Sequence, residues 1–572
     1  MILKKNDLSI VLCGEAGQGL KTVETVLTGI LKRDGYNVFA TEEYMSRVRG
    51  GVNSTSIRVS SDPVSAYVHK IDILIPLDKG RTKHLSSRIT KDTVVMGEAA
   101  NIDEKCEHGT CQIVNIPYST LAEQAGNKLY TNIVAVSAVC GLLTVDFNVI
   151  SEYLNKFFST KGGKIIQENI AAAKSGYAAG KELLDSGKLK VNIGKNKNIS
   201  SQMILNGADA VAMGAIAGGC NFISAYPMSP STEVLVFLSE HAREFGIVAE
   251  QAEDEISAMN MALGAWYAGA RALVSTSGGG FALMVEGLSL AGMLEMPVVI
   301  HLAQRPGPAT GLPTRTEQGE LNFVLRAGHG EFPRAIFAPG NIEEAFYLTQ
   351  KAFDLADKCQ SPVFILTDQY LIDSDYNVPP FDLSKIKVEK QIVQTASGYK
   401  RYSLLDKGIS PRGVPGFGSG LVGVDSDEHD EEGHITEDLL LRHKMVDKRM
   451  KKLELLKNDA LEPTLIGSED YKILLVGWGS TREIIKEAMA RMDRKDTSFL
   501  HFSQVYPLHP RTFEYLDKAV KVIAIENNAT TQFADLIKLI TGFEIKDRIH
   551  EFNGLPFSAE DIVDSVEEIL GS

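Results

Sequence analysis

The sequence contains few cysteines, and they do not have the spacing of a metal site. Six cysteines are scattered over 572 residues, and none belongs to a Cys-x-x-Cys pair. Closely paired thiolates hold zinc and iron–sulfur clusters, and dense cysteine patterns stabilise small secreted domains through disulfides. We therefore expect this chain to build no disulfide framework and no cluster of its own, and we assign it no metal ligands.

The chain also has no surplus of basic residues. It carries 59 Lys and Arg residues against 73 Asp and Glu residues, which gives a formal net charge of −14. General binding to nucleic acid or to anionic membranes depends on an excess of basic side chains. The charge balance therefore predicts neither kind of partner.

No apolar run is long enough for a simple membrane-spanning helix. The best candidate, residues 281–302, contains two glutamates and is divided by Pro297, so we predict a helix followed by a strand. The N-terminus, MILKKNDLSIVLCG, lacks the apolar core and the cleavage site of a signal peptide. These features predict a soluble cytoplasmic protein.

Strand-like and helix-like segments alternate in three blocks, which we place at residues 1–190, 200–380 and 466–572. Such alternation is typical of α/β domains with mostly parallel sheets. A polar, basic, glycine-spaced stretch at 187–200 is predicted to be a linker. Residues 381–465 are rich in glycine, proline and acid and end in a charged helix, so we predict a long excursion or linker that a partner could order.

A glycine-rich turn follows the first apolar strand and precedes a helix, and its glycines are Gly14, Gly17 and Gly19. Backbone N–H groups of such a turn can hold an anion. Glu42 resembles the ribose-binding acid of a dinucleotide site, but the spacing GxxGxG differs from the GxGxxG fingerprint. Three roles therefore remain possible for this turn: contact with a phosphate or a partner, binding of NAD, or a simple tight turn.

Near this turn, Arg47 and Arg49 form a glycine-flanked loop that suits either an anionic ligand or exposure to solvent.

The second block has candidate ligand residues at the ends of its predicted strands. Tyr226 and Ser229 lie in a turn with two prolines and three hydroxyl residues, which follows one strand. Arg305 follows the strand at 298–303 and precedes a proline–glycine turn. Ligands of α/β proteins bind beyond the carboxyl ends of the strands, so these groups are candidates for holding a carboxylate. A helix-capping turn and a surface arginine are the structural alternatives.

Glu255 is the third of three acids at the start of a helix of small and apolar residues. It lies three residues before Ala258, close to a face of alanines that is predicted to be buried. A carboxylate on a buried face needs a partner or a proton, and a ring nitrogen of a cofactor would supply one. Glu253 and Asp254 are better explained as first-turn acids that stabilise the helix N-terminus.

Taken together, these motifs resemble the alpha subunits of 2-oxoacid:ferredoxin (acceptor) oxidoreductases, in the form with a gamma-type domain fused in front. The resemblance covers nearly the whole chain, and it rests on GEAGQG, SRVRGGVNS, YPMSPSTE, EQAEDEISAMNMALGAWYAGARA, STSGGGFALMVEGLSLAG, RPGPATGLPTRTEQGEL and ENNATTQFADLI. It implies three α/β domains: a gamma-type domain, a pyrimidine-binding domain of the thiamine-enzyme type and a transketolase C-terminal-like domain.

The family oxidatively decarboxylates a 2-oxoacid with coenzyme A to an acyl-CoA and CO₂ and passes electrons to ferredoxin, using thiamine diphosphate as the electron sink. The resemblance implies that Glu255 bonds the aminopyrimidine ring and drives ylid formation. Ser229, near Tyr226, would contact the substrate carboxylate, and Arg305 would clamp it. The turn at Gly14 would contact coenzyme A or the cofactor. We expect 2-oxoglutarate first, then pyruvate or branched 2-oxoacids, in either direction of the reaction.

The sequence departs from the family pattern at two positions and lacks one motif. Ser229 replaces the family's threonine, and Gly279 replaces the proline of its TSGPG loop. No GDG sequence is present to bind the metal and diphosphate of a thiamine enzyme. The resemblance therefore implies a beta subunit that supplies the diphosphate site, Mg²⁺ and an iron–sulfur cluster, in a dimer of alpha–beta heterodimers. A non-catalytic scaffold and an NAD-dependent dehydrogenase are the alternatives.

Overall fold

The computed structural model describes residues 3–15, 17–46, 51–102 and 111–571. The chain divides into two compact units. Unit 1 comprises the residues up to Leu205 together with Ser374–Pro380, and unit 2 comprises Asn206–Asp373 and the residues from Phe381 onward. None of the described helices is long and apolar enough to cross a membrane.

Strands and helices alternate along both units, which confirms the predicted α/β class. The strands are β1 (Leu3–Lys5), β2 (Asp7–Glu15), β3 (Asn37–Glu43), β4 (Val52–Ser60), β5 (Ile73–Pro76), β6 (Val94–Gly97), β7 (Gln112–Asn115), β8 (Lys190–Asn192), β9 (Met203–Leu205), β10 (Phe222–Ala225), β11 (Val248–Gln251), β12 (Ala272–Thr276), β13 (Val298–Gln304), β14 (Ala335–Phe337), β15 (Pro362–Asp368), β16 (Asp375–Val378), β17 (Thr464–Ile466), β18 (Ile473–Trp478), β19 (Thr497–Phe502), β20 (Gln504–Tyr506), β21 (Lys521–Glu526) and β22 (Asp547–His550). The α-helices are α1 (Leu20–Arg33), α2 (Tyr118–Ala125), α3 (Thr131–Leu142), α4 (Phe147–Phe157), α5 (Gly163–Asp185), α6 (Gly207–Ala217), α7 (Thr232–Glu240), α8 (Ala242–Phe245), α9 (Glu255–Tyr267), α10 (Gly278–Met293), α11 (Leu321–Arg326), α12 (Ile342–Cys359), α13 (Gln369–Asp373), α14 (Leu439–Asn458), α15 (Thr481–Met492), α16 (Thr512–Lys518), α17 (Gln532–Thr541) and α18 (Ala559–Gly571).

Unit 1 is built on a mixed eight-stranded sheet with the order β7-β6-β5-β2-β4-β3-β16-β9. Its central strand β2 is a nearly continuous apolar run that is buried on both faces. Because side chains alternate along a strand, Ile10 and Leu12 enter one apolar core while Val11 and Cys13 enter the other. Helices α1 and α3 cover the larger core.

Unit 2 contains two sheets. The larger has the order β11-β10-β12-β13-β15-β14-β20, and all of its neighbouring strands are parallel except β14 and β20. The smaller has the order β17-β19-β18-β21-β22 and is parallel except for β17. The mostly parallel sheet predicted for the second block is therefore confirmed, as is the helix (α10) followed by a strand (β13) in the apolar stretch.

Two segments differ from what the sequence indicated. The stretch predicted to be a linker contains β8, which pairs in parallel with β1, and a 3-10 helix at Lys197–Ser201. Strand β16, far along the sequence, pairs with β3 and β9 and so belongs to unit 1. Pairing between strands so far apart in sequence cannot be predicted from the residues near either strand.

The segment predicted to be a long excursion is ordered by contacts within unit 2. Its helix α14 places the Nζ atoms of Lys448 and Lys452 at 2.6 Å and 2.5 Å from Glu295 Oε2, and all three side chains are buried. Arg401 donates to the carbonyl oxygen of Glu295 at 2.8 Å. Burial alone would raise the pKa of Glu295, but the two lysines outweigh it and hold the pKa well below its usual range.

Replacing Glu295 by Gln is expected to destabilise unit 2 by about 3–5 kcal/mol, because two buried ammonium groups lose their counter-charge. Denaturant unfolding of the purified protein measures this. Glu544, whose exposed carboxylate pairs with Lys538 at 2.6 Å, provides the control, and Glu544→Gln should leave the unfolding midpoint nearly unchanged. Equal effects of the two substitutions would show that helix α14 is held by other contacts.

Candidate functional site

The candidate residues of unit 2 lie beyond the carboxyl ends of parallel strands in its larger sheet. The turn with Tyr226 and Ser229 follows β10, the glycines at 278–280 follow β12, and Arg305 follows β13. Helix α9, which begins at Glu255, follows β11 after a short turn. In a parallel sheet these ends share one edge, which is where α/β proteins bind ligands.

Glu255 is buried, with 3% of its surface exposed, and its Oε1 atom has no hydrogen-bond partner within the described chain. The capping role at this helix falls to Asp254, whose carboxylate accepts the backbone N–H of Ser257 at 2.7 Å. That hydrogen bond lowers the pKa of Asp254. Glu255 is therefore not needed for capping, and its carboxylate can serve a ligand.

The glycines at the start of α10 have different surroundings. A methyl group added at Gly280 would lie 2.6 Å from Glu255 Oε1 and would also collide with Thr276 Oγ1. At Gly279 the nearest atom would be 3.7 Å away, so this position has room for a side chain. The observed position of Glu255 therefore requires glycine at 280, but it does not require glycine at 279.

Arg305 and Ser229 are brought together. The Arg305 side chain is largely buried, and Nη1 donates to the carbonyl oxygen of Ser229 at 2.7 Å. Burial lowers the pKa of Arg305, and the nearby Glu320 partly opposes this. A guanidinium has five N–H donors, and the described chain uses one of them here, so the others are available for a carboxylate. Tyr226, in the same turn, is 40% exposed.

Sequence reasoning missed Glu320, a further acid at this edge. Its backbone N–H donates to Gln304 Oε1 at 3.0 Å, and its Oε2 atom is buried without a hydrogen-bond partner. Burial and Glu317 raise the pKa of Glu320 and Arg305 lowers it, with a resulting value of about 8. A signal was present, since Glu320 ends the same proline- and glycine-rich segment that begins at Arg305.

A fully buried histidine in the sheet was also missed. His301 contacts Ser275 Oγ through Nδ1 and Thr367 Oγ1 through Nε2, both at 2.9 Å, and so links β12, β13 and β15. Burial lowers the pKa of His301 to about 3, which keeps the imidazole neutral at physiological pH. This chain of hydrogen bonds stiffens the strands whose ends carry the candidate residues.

The glycine turn lies in unit 1. Gly17 and Gly19 have φ angles of 93° and 76°, which favour glycine, and Gln18 Oε1 accepts the N–H of Glu15 at 2.9 Å. The turn therefore satisfies part of its own backbone. Glu42 pairs with Lys21 at 3.6 Å, which provides a structural reason for this acid.

Two further predictions concern anion and metal binding. The loop of Arg47 and Arg49 lies outside the described residues. Among the residues that are described, no group of three or more His, Cys, Asp or Glu side chains could hold a metal ion.

Two family models match the chain. The first is described as "Pyruvate flavodoxin/ferredoxin oxidoreductase, thiamine diP-bdg" and covers residues 213–448. The second, "Pyruvate ferredoxin/flavodoxin oxidoreductase", covers residues 9–179. The first spans Glu255, Ser229 and Arg305, and the second spans the glycine turn.

Similar proteins match over nearly the full length of the chain. The 2-oxoacid:ferredoxin oxidoreductase subunit alpha of a Sulfolobus species is 31% identical over 98% of this chain and 97% of its own. The 2-oxoglutarate oxidoreductase subunit KorA of Mycobacterium tuberculosis is 26% identical over 97% of this chain and 90% of its own.

A solved structure has the same fold. The 2-oxoglutarate:ferredoxin oxidoreductase from Magnetococcus marinus, determined with 2-oxoglutarate, coenzyme A and succinyl-CoA bound, matches with a TM-score of 0.92 and 28% identity. The match covers 99% of this chain and 100% of that one. With the site geometry and the full-length relatives, this places the chain in the family of 2-oxoacid:ferredoxin oxidoreductase alpha subunits.

Proposed function

We propose that this alpha subunit contributes the pyrimidine side of a thiamine diphosphate site that oxidatively decarboxylates 2-oxoglutarate, in the presence of coenzyme A, to an acyl-CoA and CO₂. Electrons pass to ferredoxin. The observation that carries the proposal is the buried, unpaired Oε1 atom of Glu255, at the same sheet edge as the contact between Arg305 and Ser229.

The residues present fit thiamine diphosphate. A buried carboxylate oxygen without a partner costs free energy, so a ligand that provides a donor is the simplest reason to keep one. An aminopyrimidine ring would provide that partner, because one of its ring nitrogens and Glu255 Oε1 would share a single proton. Thiamine diphosphate supplies, when bound, the electron sink that decarboxylation of a 2-oxoacid requires.

The substrate carboxylate is assigned to Arg305, Ser229 and Tyr226. The free donors of the guanidinium can form charge-assisted hydrogen bonds with a carboxylate, and the hydroxyl of Ser229 adds another. 2-Oxoglutarate is favoured because the relatives from Mycobacterium tuberculosis and Magnetococcus marinus are named for it. Pyruvate and branched 2-oxoacids are the substrates to compare it with.

The remaining components are assigned to other chains and to unit 1. A beta subunit would hold the diphosphate, Mg²⁺ and an iron–sulfur cluster, in a dimer of alpha–beta heterodimers. Coenzyme A is assigned to the glycine turn of Gly14, Gly17 and Gly19, where backbone N–H groups suit a phosphate.

The proposal is tested with the assembled enzyme purified from its source. Viologen reduction is measured with a panel of 2-oxoacids, with and without coenzyme A. We expect coenzyme A-dependent reduction with one preferred 2-oxoacid, 2-oxoglutarate. Reduction with none of them would refute the proposed reaction, and a nicotinamide-dependent absorbance change would support a dehydrogenase instead.

Replacing Glu255 by Gln is expected to lower turnover by about 100-fold or more, because the amide cannot take up the proton that the carboxylate oxygen holds. The assembled complex should still form, which gel filtration checks. Glu253→Gln is the matched control, since Glu253 is exposed in the same turn, and it should retain normal turnover. Normal turnover of the Glu255 variant would contradict its assignment.

Replacing Arg305 by Ala is expected to raise the KM for the 2-oxoacid through about 2–5 kcal/mol of lost binding. The kcat should change less, because the guanidinium binds the carboxylate before and during the reaction. The control is Arg326→Ala, at an exposed arginine that ends α11. A change in stability with an unaltered KM would show that Arg305 only holds the Ser229 turn in place.

The two glycines of α10 give a steric test. Gly280→Ala is expected to displace Glu255 and abolish most activity, whereas Gly279→Ala should leave the enzyme active because the added methyl group has room. Activity and thermal unfolding of the two variants are compared. Equal activity would show that the position of Glu255 does not depend on its contact with Gly280.

A further inference from the structure

Glu320 lies at the same sheet edge as Arg305, although fourteen residues separate the two in sequence. The segment begins at Arg305 and ends at Glu320, whose backbone N–H donates to the side chain of Gln304, the residue before Arg305. Gln304 is itself fixed, because its Nε2 atom donates to the carbonyl oxygen of Thr367 on β15 at 3.1 Å. Both ends of the segment are therefore anchored at the carboxyl end of β13.

The carboxyl group of Glu320 lies against the first turn of α10. Its Oε1 atom is so close to Gly278 that an added methyl group would collide with it, and its Oε2 atom is buried without a partner. Glu255 Oε1 lies against Gly280, in the same turn, and is likewise unpaired. Two acids, each with a buried and unsatisfied carboxylate oxygen, thus contact one short glycine run.

A structural role does not explain the carboxyl group of Glu320. Its side chain forms no hydrogen bond within the described chain, and only its backbone N–H holds the segment in place. It lies close enough to Arg305 for the two charges to influence each other. An ionised carboxylate there would repel an anionic 2-oxoacid, whereas a neutral carboxylic acid would donate a hydrogen bond to it.

We infer that Glu320 is a substrate-binding residue that acts in its neutral form, donating a hydrogen bond to the carboxylate of the 2-oxoacid beside Arg305. The inference rests on the proposed function, since it requires a 2-oxoacid at this edge. At a pH where Glu320 of the free enzyme is ionised, binding of the substrate therefore takes up one proton from solution, and release of the substrate returns that proton.

The charges around Glu320 determine how substrate affinity should change with pH. Burial and the Glu317 carboxylate raise the pKa of Glu320, the Arg305 guanidinium lowers it, and the resulting value is about 8. Gly278 and Gln304, which contact it from α10 and β13, carry no charge. Glu320 is therefore neutral below about pH 8 and ionises above it, so substrate affinity should fall as the pH rises through this value.

The test uses calorimetry on the assembled enzyme with glutarate, an unreactive dicarboxylate with the same carbon chain as 2-oxoglutarate. Affinity is expected to be nearly constant below about pH 8 and to fall by up to about tenfold per pH unit above it. Titrations in buffers with different ionisation enthalpies should show uptake of nearly one proton per bound glutarate on the alkaline side. This measurement needs no variant, so it does not depend on variant folding.

Two variants identify the group responsible. Glu320→Gln should bind glutarate with an affinity that no longer falls above pH 8, and proton uptake should disappear. Glu317→Gln should keep the fall but shift it to lower pH, since one charge that raises the pKa of Glu320 is removed. An unchanged alkaline fall in Glu320→Gln, or a flat profile in the original enzyme, would overturn the inference. Failure of the enzyme to turn over any 2-oxoacid would instead refute the proposed function.

Discussion

An unpaired carboxylate oxygen of Glu255 lies buried against the backbone of Gly280. Leaving such a group without a hydrogen bond costs about 1–3 kcal/mol, and more when it is charged. The surrounding sequence accommodates this group, because Asp254 caps the helix in its place and Gly280 leaves room for the carboxylate. The buried oxygen therefore costs free energy that a ligand hydrogen-bonded to it would offset, and the proposed site depends on this property of Glu255.

The segment 305–320 connects this edge to the smaller sheet of unit 2. Gln318 donates to the carbonyl oxygen of Trp478 at 2.9 Å and accepts the N–H of Asn527 at 3.0 Å. Trp478 and Asn527 thus fix the segment that carries Arg305 and Glu320. A rigid support of this kind holds charged groups in position before a ligand arrives, which reduces the entropy lost on binding.

The features that were predicted from the sequence are those that depend on local patterns of residues. The burial of Glu255 follows from its place on a helix face, and the position of Arg305 follows from the strand and turn around it. Glu320, His301 and strand β16 were not foreseen, because their surroundings are made by residues distant in sequence. The charged helix that ends residues 381–465 was predicted, but the long-range contacts that hold it within unit 2, among them the pairing of Glu295 with Lys448 and Lys452, were not.

We propose that this chain provides one side of a thiamine diphosphate site and that another chain completes it. The most direct measurement compares the chain purified alone with the chain purified together with its partner subunit. Bound thiamine diphosphate and coenzyme A-dependent viologen reduction with 2-oxoglutarate are determined for both. Both properties are expected in the complex and neither in the isolated chain. Cofactor binding and turnover by the isolated chain, or a complex that lacks both, would contradict it.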